Sequence, residues 1–333
     1  MVTQALSNLP AASSALFADL RGDLAFQVET LLDRTICAIA RRESVSRSMT
    51  AMIESLDRLR QRASLAQWER LIRDVCRPHP LYELLALDPF TARARAQPRG
   101  YAGDAEMIDF IYRGLPEAVW DTTTAIGREI FTYTAISSPS AHSVRHRRDL
   151  LASKIDAVAA RVKQPRILSI ACGHLREALL SRSVLAGDVG TLTALDQDTV
   201  SLAVVANDLA HVPAVETLHR SVRDLIAGKC SLSNYDFIYA AGLFDYLPDR
   251  AARDLVRVLA ASLAPGGQLL IGNFVTDFSG ASYIEAFMEW PLICRTIDDL
   301  YALCSGIPAE QIARLDDFID PSGSVAYLTI TRG

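Results

Sequence analysis

Gly173 and Asp196 lie 23 residues apart, and each closes a short apolar run. The first run, "RILSI", leads into Ala171-Cys172-Gly173-His174. Small residues there let a ligand approach the main chain, and glycine can take a positive φ. The helix expected behind the turn offers unpaired N–H groups at its start. The second run, "LTALD", ends in Asp196, followed by Gln197. A carboxylate in that place can accept both hydroxyls of a ribose. The pair therefore suits a nucleoside-bearing ligand held at the tips of parallel strands.

The ends of the other apolar runs supply further candidates. Ser221 and Val222 follow the third and could border an adenine edge. Ala241 and Gly242 follow the fourth, with Asp245 and Tyr246 just beyond. Asn273 and Phe274 end the fifth. Two ligands compete for this arrangement. A dinucleotide brings a pyrophosphate and wants three glycines in its first turn. Here the turn continues His174-Leu175-Arg176-Glu177, and a glutamate suits a pyrophosphate poorly. S-adenosylmethionine carries no phosphate, and its amino-acid tail is compatible with a turn bearing both Arg and Glu. A nicotinamide-dependent oxidoreductase stays as the disfavoured alternative.

The elements that must position these residues form two textures. Residues 12 to about 76 have apolar positions recurring at three and four, the mark of amphipathic helices. A turn-rich stretch follows, with Pro78, Pro80, Pro89, Pro98, Gly100 and Gly103. A helix should start after Gly103 with Asp104 as N-cap and Glu106 in its first turn. Another should open at Ser138-Pro139 and run to about Val162. From Gln164, strands near 166–171, 191–195, 215–219, 235–241 and 268–274 alternate with helices, and a last strand covers about 325–331. Pro265-Gly266-Gly267 is a turn before the fifth. Such alternation predicts a parallel α/β sheet. Residues 1–137 are thus expected to form a helical region, a lid or a dimerisation arm, and 138–333 the α/β domain.

Composition narrows the partners. The chain has 333 residues, half of them hydrophobic, and a formal net charge of −5. That balance disfavours nucleic acid, which wants a basic face. The run Arg145-His146-Arg147-Arg148 reads as a solvated helix face. Six cysteines show no C-x-x-C pair and no zinc spacing, and their scatter suits reduced thiols. No metal is expected. The N-terminal "MVTQALSNLPAASSALFADL" lacks a basic leader segment, and no run of about 18 apolar residues occurs. A cytoplasmic protein without a membrane span is expected.

The segment from about 164 to 275 resembles the class I S-adenosylmethionine-dependent methyltransferases. Ser169 and Ala171 stand where that family commonly has an acidic residue and a glycine. "SIACGHLREALL", "YDFIYAAGLFDYLPD", "QPRGYAGDAEMIDFIYRG" and "MEWPLICRT" together resemble a narrower bacterial branch. That branch includes enzymes proposed to make hydroxy fatty acid methyl esters used as extracellular signals. The resemblance implies a Rossmann-like seven-stranded sheet of order 3-2-1-4-5-7-6 and a small-molecule acceptor. It implies that Ala171, Gly173 and His174 face the methionine part of the cofactor. Asp196 would hold the ribose, with Gln197 beside the adenine, and Ala241 and Gly242 would line the cofactor through their main chain.

Methyl transfer from a sulfonium is a direct displacement, so the protein chiefly aligns the acceptor and excludes water. A carboxylate acceptor needs no base, whereas an amine or phenol can use one. O-methylation is the first reading, N-methylation the second, and a non-catalytic cofactor binder the third. Acceptor-side candidates lie in two places. In "RGYAGDAEM", Arg99, Tyr101, Asp104 and Glu106 form either a closing lid or a helix cap. In "NFVTDFSGASYIEAFMEWPLICRT", Tyr283, Glu285, Glu289, Trp290 and Arg295 are expected on a helix. Tyr283, Phe287 and Trp290 would share one face of it, as core or as pocket. Tyr246 could bond or stack with the acceptor. His174 offers a base, though its place in the turn favours a contact to the methionine tail.

Overall fold

The computed structural model describes residues 23–41 and 43–333. The start of the helix expected from residue 12, and the stretch read for a leader, lie outside them. Two compact units result, and both are discontinuous. The α/β unit comprises Asp104–Tyr112, Pro139–Phe278 and Leu292–Gly333. The helical unit comprises the described part of Met1–Gly103 with Arg113–Ser138 and Ser279–Pro291.

The α/β unit holds one seven-stranded sheet of order β3-β2-β1-β4-β5-β7-β6. The strands are β1 (Arg166–Ile170), β2 (Thr191–Asp196), β3 (Val215–His219), β4 (Tyr235–Ala240), β5 (Leu263–Phe274), β6 (Ile312–Ile319) and β7 (Val325–Arg332). β1 to β5 run parallel, and β7 is antiparallel to both β5 and β6. The central strands are apolar on both faces, as strands covered by helices must be. Ile167, Leu168, Phe237, Ile238, Leu269 and Ile271 are all buried. The chain order reverses between β1 and β4, which creates the crevice at their carboxyl ends.

β6 was not marked in the sequence. Its "IARLDDFI" has a burial pattern that fits an edge strand with one side in water, and its charges hide it from a search for apolar runs. The Pro265-Gly266-Gly267 turn sits inside β5. Tyr235 pairs with Leu263 and Phe237 with Gln268, so extra residues bulge out, and Gly266 takes φ 74°. The helix Pro139–Ala159 begins with its proline at the first position, as expected.

In the helical unit, the predicted 12–76 region resolves into Leu24–Ala40, Val45–Arg62 and Leu65–Leu71, with a wider π turn over Ile72–Cys76. Val28, Leu32 and Ile36 of the first helix and Met49, Met52 and Leu56 of the second are buried, so the apolar periodicity marks core. The turn-rich stretch is more ordered than its prolines suggest. Pro80 and Pro89 each open a short helix, Pro80–Leu85 and Pro89–Ala96, capped by His79 and Asp88. Proline lacks only an N–H that a first turn leaves unpaired anyway. The helix expected through Arg295 is Ala281–Ala286 alone, so Glu289, Trp290 and Arg295 lie beyond it. Phe287 is its C-cap, Glu289 takes φ 51°, and Pro291 cannot continue a helix. Tyr283, Phe287 and Trp290 therefore do not form one helical stripe.

Candidate functional site

The turn after β1 is built on alternating left-handed residues. Ala171, Gly173 and Leu175 have φ of 51°, 53° and 49°. Two of the three are not glycine, and each carries the steric cost of that conformation. Asp196 holds the turn in place. Its Oδ2 accepts the Gly173 N–H at 2.9 Å, and its Oδ1 accepts the Asp198 N–H at 2.8 Å. The side chain thus ties the loop after β1 to the loop after β2. Burial raises its pKa against the pull of those two N–H groups. Ala171 is exposed and Gly173, Ala241 and Gly242 are half-buried, so the strand tips remain accessible where the strands themselves are not.

Beyond the turn, the charged residues point inward. His174 Nδ1 faces Asp109 Oδ2 at 2.9 Å, while its Nε2 is buried with no hydrogen-bond partner. Arg176 donates to both oxygens of Asp109, at 2.8 and 2.5 Å, and to Asp208 at 2.6 Å. Burial works against ionisation of Asp109, but hydrogen bonds from Arg176 and His174 hold it at about 2. Glu177 accepts the Tyr239 hydroxyl at 2.7 Å, and burial raises its pKa. Asp109, on the helix Ala105–Arg113, escaped sequence reasoning. Its signal was slight: one acidic residue on the polar side of an amphipathic helix.

The other cofactor-side candidates have local roles. Ser221 caps the helix Val222–Ile226, its Oγ donating to Asp224 Oδ2 at 2.8 Å in a reciprocal capping box. Gln197 is exposed, and its carbonyl lies 3.1 Å from His219 Nε2. Val222 is half-buried.

Asn273 and Arg295 meet in a buried network at the tips of β4 and β5. Asn273 Nδ2 donates to Asp245 Oδ1 at 2.9 Å and to the Ile293 carbonyl at 2.8 Å. Its Oδ1 accepts from Arg295 at 2.7 Å. Arg295 is 2% exposed and also donates to the Phe244 and Leu247 carbonyls and to Asp249. Phe274 N–H donates to Asp245 Oδ1 at 2.7 Å, and its ring lies tilted against that of Phe278. Burial pushes Asp245 up to about 6, against those bonds and the charges of Arg147 and Arg295. Tyr246, on the short turn after β4, is 36% exposed.

In "RGYAGDAEM", Asp104 caps its helix as expected: Oδ1 accepts the Met107 N–H at 2.8 Å. Glu106 stands in the first turn. Arg99 and Tyr101 are half-buried in the loop before it, within the helical unit. Glu285 belongs to that unit too. It makes a paired bond to Arg60, at 2.8 Å on each oxygen, and accepts Trp68 Nε1 at 2.7 Å. Tyr283 is buried against Phe287 and bonded to Thr91 at 2.9 Å, and Trp290 meets Phe90 edge-on. The basic run is not a free solvated face either. Arg145 reaches the Ile111 carbonyl, while Arg147 and Arg148 both engage Tyr112. Among the described residues no His, Cys, Asp and Glu group could hold a metal, and no helix is long and apolar enough to cross a membrane.

Residues 145–283 match the family model described as "Tellurite resistance protein TehB". No curated protein matches the sequence. Among solved structures, a "possible exported protein" from Bordetella parapertussis is 15% identical with a TM-score of 0.58, over 96% of this chain and 99% of that one. It shows a common fold. Magnesium protoporphyrin IX methyltransferase from Synechocystis with bound SAM is 10% identical with a TM-score of 0.42, over 58% of this chain and 83% of that one. A TehB-like SAM-dependent methyltransferase from Corynebacterium glutamicum is 15% identical with a TM-score of 0.40, over 59% and 98%.

Proposed function

We propose that the TehB-like methyltransferase domain at residues 145–283 uses S-adenosylmethionine to methylate a small molecule, with oxygen as the acceptor atom. One observation carries the cofactor reading. Asp196 at the end of β2 ties itself to Gly173 after β1, beside the switch point of a sheet of order 3-2-1-4-5-7-6.

The residues present fit that cofactor. The left-handed turn at Ala171, Gly173 and Leu175 bends the main chain away from the strand tip and leaves a small-residue rim. Asp196 accepts the N–H groups of Gly173 and Asp198, and a carboxylate so bonded still has lone-pair capacity for a ribose hydroxyl. Gly173, Ala241 and Gly242 present main chain along the crevice, with His174 beside the methionine end and Gln197, Ser221 and Val222 around the adenine. When bound, the cofactor supplies an electrophilic methyl group on a sulfonium. The chain's own work is then alignment and exclusion of water. The Asp245–Asn273–Arg295 network fixes the tips of β4 and β5, so the acceptor meets a rigid wall. Tyr246 stands at its exposed edge. Asp104 is our candidate for closing over the acceptor, and Arg99, Tyr101, Tyr283, Glu285 and Trp290 are retained as acceptor-side candidates on their residue types.

The narrower resemblance, to a bacterial branch of proposed hydroxy fatty acid methyl ester synthases, is part of the same reading. Calorimetric titration with S-adenosylhomocysteine and with NAD tests the whole. Binding of the first and not the second is expected. NAD binding alone would replace the proposal with an oxidoreductase.

A further inference from the structure

The guanidinium of Arg147 has no directly bonded carboxylate among the described residues. It is carried by the helix Pro139–Ala159, one turn beyond Ser143. Ser143 is itself pinned: its Oγ donates to Asp320 Oδ2 at 2.7 Å, and Asp320 also accepts the N–H groups of Ser322, Ser324 and Val325. Residues four apart share a helix face, so this anchor sets where Arg147 points. The guanidinium packs on the main chain beyond β4. A Cβ on Gly242 would stand 2.9 Å from its Nη1. Among the described residues its one hydrogen bond is a long one, 3.5 Å to the Tyr112 hydroxyl. Five N–H donors in a half-buried place are thus served by a single weak partner. Among the described residues no carboxylate lies within ion-pair distance of it. Asp245 is near enough to stabilise its charge, but Oδ1 of that carboxylate is taken by Asn273 and Phe274.

A second orphan stands beside it. Tyr327 on β7 is fully buried, and its hydroxyl has no hydrogen-bond partner. Its ring lies over Gly272 of β5, where an added Cβ would come within 3.0 Å of it. Tyr112, Tyr327, Asp245 and Glu177 all act on the charge of Arg147, against the cost of burying it. A buried hydroxyl left unpaired is costly, and a guanidinium with no directly bonded carboxylate keeps donors to spare. One anionic ligand between them would satisfy both. The sheet order gives the side. Gly173 and Asp196 mark β1 and β2, whereas Arg147 and Tyr327 gather at β4, β5 and β7, across the switch point.

We infer that Arg147, with the Tyr112 and Tyr327 hydroxyls, seats the carboxylate of the methyl acceptor and selects for it. This rests on the methyltransferase reading above. The chemistry balances without a base. A carboxylate oxygen forms the new O–CH₃ bond, the S–CH₃ bond breaks with its electron pair going to sulfur, and the two opposite charges cancel. No proton is released. The ester that results is neutral, so Arg147 loses its anion and the product loses its principal anchor. The carboxylate of the cofactor's own amino-acid tail shares this chemistry, and the test separates the two sources.

Purified full chain is first titrated with S-adenosylhomocysteine. If the wild type does not bind it, the methyltransferase reading fails. With that ligand saturating, octanoate, benzoate and salicylate are titrated beside their methyl esters. At least one acid should bind about tenfold more tightly than its ester, and Arg147→Gln should abolish that preference. Arg147→Lys should retain part of it. Gly242→Ala, whose new methyl displaces the guanidinium in a chain that still folds, should weaken it as well. Tyr327→Phe should weaken acid binding about threefold without lowering the melting temperature, since it removes an unpaired buried hydroxyl. The inference is overturned if no acid is preferred over its ester by the wild type, or if Arg147→Gln and Gly242→Ala both keep the preference. It is equally overturned if Arg147→Gln loses S-adenosylhomocysteine but still binds 5′-methylthioadenosine, which lacks the amino-acid carboxylate.

Discussion

Asp196 accepts the main-chain N–H of Gly173 at 2.9 Å, across the gap between β1 and β2. The same carboxylate is therefore both the proposed ribose ligand and the clamp that holds the ligand turn. Asp196→Ala removes both functions and should weaken S-adenosylhomocysteine binding by roughly 1–3 kcal/mol. Asp196→Asn keeps one acceptor oxygen and should lose less. Unchanged calorimetric affinity in the alanine variant would remove the assignment.

Ala171 takes φ 51° without being glycine. An L-residue in that region costs about 1–2 kcal/mol, part of which glycine returns as unfolded-chain entropy. Ala171→Gly should raise the urea midpoint by a net stabilisation of about 0.5–1 kcal/mol at constant m-value. A lower midpoint would mean that the turn is not strained there. The opposite substitution is harsher. Gly173→Leu combines φ 53° with a Cβ 3.2 Å from that of Ala105, and should abolish cofactor binding.

Asp104 caps the helix that carries Asp109. Asp104→Ala should cost about 1 kcal/mol in stability, and Asp104→Asn, a comparable cap, much less. If Asp104 also closes over the acceptor, the asparagine variant will lose turnover while keeping both its stability and its cofactor affinity. Full turnover in that variant, and in Tyr101→Phe, would leave the cap as the whole of its role.

Asp245 should set part of the acid-range stability. Burial pushes it up to about 6, whereas an aspartate in the unfolded chain titrates near 4. The folded state therefore keeps a proton that the unfolded state has already lost. Its stabilisation is complete below about pH 4 and is lost as the pH rises through about 6. Asp245→Asn stays neutral throughout and still offers an oxygen to Phe274 and Asn273. The wild-type minus variant difference in unfolding free energy should fall across that window. A difference that is flat with pH would contradict the raised value.

Arg295 ties Asn273 to the carbonyls of Phe244 and Leu247. Arg295→Met leaves those buried acceptors unpaired and should cost about 2–3 kcal/mol. Thermal unfolding would show it. An unaltered melting temperature would mean that water replaces the guanidinium at no cost.

Much of the sheet was legible because its central strands are buried on both faces and read as continuous apolar runs. β6 was not, since an edge strand can carry exposed charges such as Arg314 and Asp317. The turn at 171–175 was harder to read for a different reason. Glycine is the usual sign of positive φ, but Ala171 and Leu175 adopt it unaided, so two of three signals were missing. Asp104 as a cap was legible from its position alone. The burial of Arg176, Glu177 and Arg295 was not, because each is paid for by partners far away in sequence: Asp109 and Asp208, Tyr239, and the loop after β4. Local sequence carries no trace of such long-range pairing. The tyrosine–tryptophan stripe failed where Glu289 and Pro291 ended the helix early.

The helical unit takes its last piece, Ser279–Pro291, from between β5 and β6. On the ribosome, chains emerge from the N-terminus. The first hundred residues are then available long before the short stretch that finishes their unit, and the five parallel strands are synthesised in the meantime. Until then Asp57 has no Gly280 or Ser282 to bond, and Arg60 and Trp68 have no Glu285. Nascent helices must wait with those polar groups unspent until Pro291 has emerged.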